Sequence, residues 1–232
     1  MKKRSSFKKA FLALAFLAIG SSEMFSQTHY SSNVSIGAKA GIDLSRIFFN
    51  PSVKQKMDLG TTAGIMVRYI EENHFGLIGE LNYAQRGWAE NFEEAPYNYS
   101  RKLDFVDLCF LAHVFFGSRG RFFFNAGPQV GYYLGEHITS NFDPEDIAYL
   151  PDFPYINRIN YQLTEPTTIK VDYGISAGIG GEFNINRKNS ISLEGRFYFG
   201  LANIFSSKRG AHFNASNQMT VSVTAGYWFR VK

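Results

Sequence analysis

The chain has one cysteine, Cys109, among 232 residues, so no intrachain disulfide can form and no thiol is placed to carry an N-terminal lipid anchor. Mid-chain in an apolar alternating stretch, it suits a small packed side chain. Beyond the first twenty residues no apolar run approaches the ~20 residues a membrane-spanning helix needs. Net charge is also missing. The whole chain has 24 Lys+Arg and 20 Asp+Glu, but residues 1–26 hold five of the bases and one of the acids. Without that segment 19 of each remain, and the basic pI offers no support for nucleic-acid binding.

Residues 1–26 read as a secretory signal. Lys2, Lys3, Arg4, Lys8 and Lys9 form a basic head and Ala10 to Gly20 an apolar core, with small polar residues after it and cleavage expected near Ser26. Residues 27–232 then form a single domain. Aromatics are abundant, with 23 Phe and 13 Tyr, far more than a neutral soluble domain needs. An aromatic-rich chain without apolar helices suits a transmembrane barrel with aromatic girdles.

Period-two alternation predicts strands at about 34–43, 59–70, 75–88, 99–116, 121–136, 167–185, 190–204 and 217–230. Three connections are tight and polar: Glu71-Glu72-Asn73-His74, Gly117-Ser118-Arg119-Gly120 and Asn186-Arg187-Lys188-Asn189. Four are long, at roughly 44–58, 89–98, 137–166 and 205–216, and they alternate strictly with the short ones. Six of the seven prolines lie in the long connections. The seventh, Pro128, requires a bulge or a locally unpaired position, because it has no N–H to donate to a ladder. The expected fold is all-β, an eight-stranded antiparallel transmembrane barrel in the outer membrane, with short periplasmic turns and long extracellular loops. A soluble sandwich or lipocalin-like barrel is the competing architecture and would turn its apolar face inward.

The faces separate cleanly. In the fourth strand Val106, Leu108, Phe110, Ala112, Val114 and Phe116 oppose Asp107, Cys109, Leu111 and His113. In the sixth, Ile169, Val171, Tyr173, Ile175, Ala177 and Ile179 oppose Lys170, Asp172, Gly174, Ser176, Gly178 and Gly180. The seventh sets Ile191, Leu193, Phe197, Phe199 and Leu201 against Ser192, Glu194, Arg196 and Tyr198. One face is apolar for lipid, and the other holds charge at mid-strand.

Five stretches together resemble the small PorT-like, porin-like outer-membrane barrels of Bacteroidetes. They are Ile36-Gly37-Ala38-Lys39-Ala40-Gly41-Ile42-Asp43-Leu44-Ser45, Gly79 to Gly87 (GELNYAQRG), Asn125 to Leu134 (NAGPQVGYYL), Asp172 through Phe183, and Leu193 to Ile204 (LEGRFYFGLANI). The likeness runs over most of residues 34–229. It implies an eight-stranded outer-membrane barrel, and one member of that family is associated with protein export. The end departs from the usual pattern, because Phe229 is followed by Arg230-Val231-Lys232.

The lumen-facing charges are Lys39, Asp43, Arg68, Glu80, Asp107, Arg121, Lys170, Asp172, Glu182, Glu194 and Arg196. An eight-stranded barrel is just wide enough for side chains to fill it, so these charges are expected to pair as a plug. The expected role is structural or interactive, through extracellular loops that meet outer-membrane lipid, lipopolysaccharide or a protein partner. A narrow channel is the first alternative, given the space at Gly174, Gly178 and Gly180; an accessory to an export or assembly complex is the second. No cofactor is expected. Catalysis would have to use His137 with Ser140 and Asp143 at the rim, and no nucleophile motif accompanies them. The loop at 137–166 carries Asp143, Glu145, Asp146 and Asp152 without Ca²⁺-loop spacing. Its aromatics Phe142, Tyr149, Phe153, Tyr155 and Tyr161 are expected to be exposed for interaction.

Overall fold

The computed structural model describes residues 32–71, 73–93, 95–154 and 158–231. The expected signal segment, Glu72, Glu94, Tyr155 and Lys232 lie outside the described residues. Eight long strands form: β1 (Asn33–Asn50), β3 (Asp58–Ile70), β4 (Phe75–Glu90), β5 (Tyr99–Gly117), β6 (Gly120–Ser140), β7 (Val171–Asn184), β8 (Asn189–Asn203) and β9 (Ala215–Arg230). A two-residue strand, β2 (Gln55–Lys56), pairs with the end of β4 at Glu90 and Ala89. Every long strand pairs antiparallel with its chain neighbour, and β1 pairs with β9 from Ser35↔Arg230 to Asn50↔Ala215. The sheet therefore closes on itself and leaves no long edge, as a strand structure in lipid requires.

The outer wall carries Ile65, Leu108, Phe110, Ile175 and Leu193, all about 60% exposed. A water-soluble monomer does not expose apolar surface all round its wall. Tyr69, Phe75, Phe116, Phe122, Phe183, Tyr227 and Phe229 are exposed near the short-turn end, where amphipathic rings favour the membrane–water boundary. The inward positions Asp107, Cys109, Leu111 and His113 of β5 are buried, as are Asp172, Ser176 and Glu182 of β7.

Pro128 sits opposite Ile175 of β7. On its other side the β5–β6 pairing runs from Cys109↔Gln129 to Ala112↔Ala126, leaving Pro128 and Gly127 unpaired without a change of register. A Cβ on Gly127 would lie 2.1 Å from the carbonyl oxygen of Phe110, so the backbones meet there more closely than any other residue permits.

The strand ends differ from expectation. β1 continues seven residues past Asp43, β6 reaches Ser140, and β7 begins only at Val171. A membrane needs only ~10 residues per strand, so strands of 18 and 21 residues carry the wall beyond it on the long-loop side. There the interior also takes apolar side chains. Ile47 and Phe49 point inward and are buried, while Arg46 is exposed. With water outside in place of lipid, apolar side chains turn to the interior.

Candidate functional site

The interior is stacked in polar layers. Nearest the periplasm, Arg68 forms a two-pronged ion pair with Glu182, with the Nη2–Oε1 contact at 3.0 Å. Ser190 donates to Glu182 at 2.6 Å, and the Arg68 guanidinium lies 4.4 Å over the Trp228 ring. Below them Ile70, Phe115 and Phe123 form a small apolar floor, and the Arg121 guanidinium stands 4.9 Å over Phe115.

The next layer centres on Glu80. Lys39 Nζ lies 2.7 Å from its Oε2, and Arg196 reaches both of its oxygens at 2.6 and 2.8 Å. Arg196 also contacts Glu194 at 2.9 Å. Asn125 then donates to Glu194 at 2.9 Å, and its own carbonyl meets His113 Nδ1 at 2.7 Å. Cys109 is buried beside Asn82, which donates to its Sγ at 3.6 Å.

A third layer surrounds Arg86, which lies 2.6 Å from Asp107 and 3.6 Å from Asp172. Its guanidinium is held between the rings of Phe105 (4.4 Å) and Tyr198 (4.8 Å). Tyr198 donates to Asp172 at 2.8 Å and Gln129 to Asp107 at 2.9 Å. Between this layer and Glu80 lies a cavity of about 30 Å³ lined by Asp43, Thr62, Asn82, Arg86, Arg196 and Thr220, room for about one water molecule.

Of the charges expected in the lumen, Lys39, Glu80, Glu194 and Arg196 therefore meet one another and Arg68 meets Glu182, while Asp107 and Asp172 meet Arg86, Asp43 lines the cavity without an ion pair among the described residues, and Arg121 closes the lower end. Lys170 is the exception. It precedes β7, is exposed, and its ammonium lies 5.9 Å from the Tyr133 ring centroid. Ile169, expected to face lipid, is buried instead, because the chain leaves the sheet at Val171 and alternation no longer governs it. The expected room at the glycines of β7 is taken up. A Cβ on Gly178 would lie 2.5 Å from Glu194 Oε1, and one on Gly180 2.3 Å from the Phe123 ring.

Above the polar layers all four long loops fold over the mouth. Val53, Phe92, Phe153, Leu163, Phe205 and Phe213 come from the loops and join Ile47, Phe49, Trp88, Tyr99, Leu103 and Phe105 from the strand ends in one buried apolar cluster. Trp88 packs edge-on against Phe49 at 5.5 Å and against Phe205 at 5.9 Å. Phe92 packs on Phe142 and Phe153, each at 5.6 Å. The loop aromatics are therefore not one exposed set. Phe153 is buried and Phe142 half-buried, whereas Tyr149 (86% exposed) and Tyr161 remain outside.

One ion pair and the hydrogen bonds of a second arginine tie this cap to the barrel. Arg158 pairs with the fully buried Glu90, donates to Asn91 O at 2.7 Å, and lies 4.2 Å over Phe92. Glu90 also accepts from Trp88 and Gln162, each at 3.1 Å. Arg101 grips Glu136 at 2.8 and 3.0 Å and donates to Glu165 O and Thr167, each at 2.8 Å. Outside the cluster, Lys54 contacts Glu93 at 2.7 Å and holds that exposed carboxyl below its ordinary range by hydrogen bonding and charge.

Arg86, Glu90, Arg101, Glu136 and Arg158 were not among the expected residues. Arg86 and Glu90 were legible, since stepping by two from Glu80 along β4 reaches both. Glu136 was not. Strict alternation puts it on the outer face, and an extra residue in β6 between Tyr133 and Gly135, opposite Asp104/Phe105, turns it inward toward Arg101. At the rim His137 lies 3.1 Å from Asp104, whereas the Ser140 hydroxyl donates to Phe142 O. The structure therefore does not bring together the residues a rim triad would have used.

A closed antiparallel barrel with an apolar outer wall and a charged interior defines an integral outer-membrane protein. The chain belongs to the family described as the outer membrane protein beta-barrel domain, whose model matches residues 25–206. No curated protein matches the sequence. Similar solved structures include Neisserial surface protein A, at 10% identity over 86% of this chain and 99% of that one, TM-score 0.47. OprG from Pseudomonas aeruginosa is similar at 11% identity over 86% and 95% of the two chains, TM-score 0.46. Ail, the attachment invasion locus protein of Yersinia pestis, solved with the heparin analogue sucrose octasulfate, is similar at 15% identity over 84% and 99%, TM-score 0.41.

Proposed function

We propose that this outer-membrane barrel is a closed, non-conducting and non-enzymatic protein that works through the outer surface of its loop cap. The observation that carries this reading is the single apolar cluster that all four long loops contribute to over the barrel mouth. Beneath it most charges of the lumen are paired, which is how charge is tolerated in so narrow a space. The cap then serves as a platform. Tyr149 and Tyr161 stand on it, and Tyr161 stacks on His212 at 3.9 Å, joining the third loop to the fourth. Exposed aromatics on a rigid support suit a protein partner, and the exposed Lys208 and Arg209 of the fourth loop suit lipopolysaccharide. Within the family the five motifs from Ile36 to Ile204 support a PorT-like assignment, and residues 1–26 support export by a signal peptide.

Planar-bilayer recordings of the refolded protein test the closed lumen. The expected result is no discrete conductance from a barrel whose heat-modifiable gel mobility shows that it is folded. Reproducible steps that change on Arg196→Gln would replace this reading with a narrow channel.

A further inference from the structure

The periplasmic end gathers arginines from its turns and strand ends. Arg119 in the 118–119 turn, Arg187 in the 185–188 turn, Arg121 at the start of β6 and Arg230 at the end of β9 line one pocket of about 390 Å³ with Asn184, Ile185 and Asn186. Among the described residues no carboxylate lines it. Glu182, the nearby acid on β7, faces Arg68 in the lumen. Arginine stays protonated at any relevant pH, so the pocket gathers permanent positive charge. Its backbone is held in place: Asn184 donates to Ser118 O at 2.7 Å, Arg230 N to Lys188 O at 2.7 Å, and Asn186 Oδ1 accepts from Lys188 N at 2.9 Å. Planar guanidinium donors around a fixed pocket match the oxygens of a phosphate.

The pocket does not stand alone. On the lipid-facing wall beside it runs an apolar groove of about 1040 Å³, whose lining includes Ala38, Phe122, Gly181, Phe183, Leu193 and Ala225. Small side chains there make a dent in a wall that is otherwise bulky. Arg121 borders both spaces. Arg119, from the pocket, lies 5.6 Å over the ring of Phe183 in the groove. A cationic recess thus opens into an apolar channel at the level where Phe122 and Tyr227 mark the membrane boundary. A soluble phosphate would use the first part and leave the second empty.

We propose that the pocket and groove together bind one anionic phospholipid of the periplasmic leaflet, its phosphate among Arg119, Arg187 and Arg230 and an acyl chain along the β6–β9 wall. Native mass spectrometry of the folded full barrel, released from vesicles of equal phosphatidylglycerol and phosphatidylcholine, tests it. The expected result is a single retained phosphatidylglycerol. Removing two charges with Arg119→Gln/Arg187→Gln should lower the preference by about thirtyfold, and the Arg→Lys pair should restore most of it. Gly181→Leu adds its side chain to the groove, where the nearest atom to a new Cβ is 3.9 Å away, and should weaken retention with the arginines intact. Equal retention of the two lipids, or a preference unchanged in the glutamine pair, would overturn the proposal. Displacement of the lipid by millimolar inorganic phosphate, with Gly181→Leu without effect, would also overturn it in favour of a free-phosphate site.

Discussion

Replacing Glu80 by glutamine distinguishes a packed lumen from a water-filled one. The Glu80 side chain is 1% exposed and receives Lys39 at 2.7 Å and Arg196 at 2.6 and 2.8 Å. The substitution keeps shape and volume but removes the one carboxylate paired with Lys39 among the described residues, while Arg196 retains Glu194. Breaking a buried pair from one side costs about 3–5 kcal/mol, because an uncompensated charge stays in a poorly solvated site. In a water-filled lumen the same pair would be worth about 0.2–1 kcal/mol. The Lys39→Met/Glu80→Met double variant removes both charges and should recover most of the loss. Urea unfolding of the refolded barrel in lipid vesicles, followed by tryptophan fluorescence and gel mobility, measures these differences. A loss below about 1 kcal/mol for Glu80→Gln would refute the packed-lumen reasoning, since water could then reach the orphaned cations.

Trp88→Ala should open the cap without unfolding the wall. Large aromatic deletions from a packed cluster cost about 3–5 kcal/mol, here spent on loop docking, so limited proteolysis should cut within 204–214 while heat-modifiability persists. Gly127→Ala should destabilise by about 1–3 kcal/mol, as overpacking does, whereas Gly195→Ala, whose Cβ meets nothing within 4 Å, should stay within about 0.5 kcal/mol; paired urea curves compare them. The contact between Lys54 and Glu93 stabilises the charged carboxylate. Its folded pKa lies below the unfolded one, so its contribution is present above the unfolded value and fades as pH falls through the folded one. NMR titration of Glu93 should show the depressed midpoint, and Lys54→Met or high salt should move it back.

Alternation along the chain was enough to assign the wall. Period two carried from Val106 to Phe116, from Val171 to Ile179 and from Ile191 to Leu201 assigned lipid and lumen faces, because a strand offers its side chains no third direction. The chain also set the orientation, through short turns opposite long loops, and most of the lumen charges, because mid-strand polar residues between lipid-facing ones have nowhere else to point.

Tertiary structure alone decided the rest. Alternation names a face but not a partner, so the joining of Arg196 on β8 to Glu80 on β4, 116 residues apart in sequence, needed the closed ring. Glu136 turned inward only through the extra residue in β6, a local irregularity that a strict period cannot express. The cap was hidden for a different reason. Above the membrane water replaces lipid outside the wall, so Ile47, Phe49 and Trp88 turn in, and Val53, Phe92, Phe153, Phe205 and Phe213, scattered through four loops, find one another. Their burial is a property of four distant segments meeting over one opening, and no local pattern in the chain encodes that meeting.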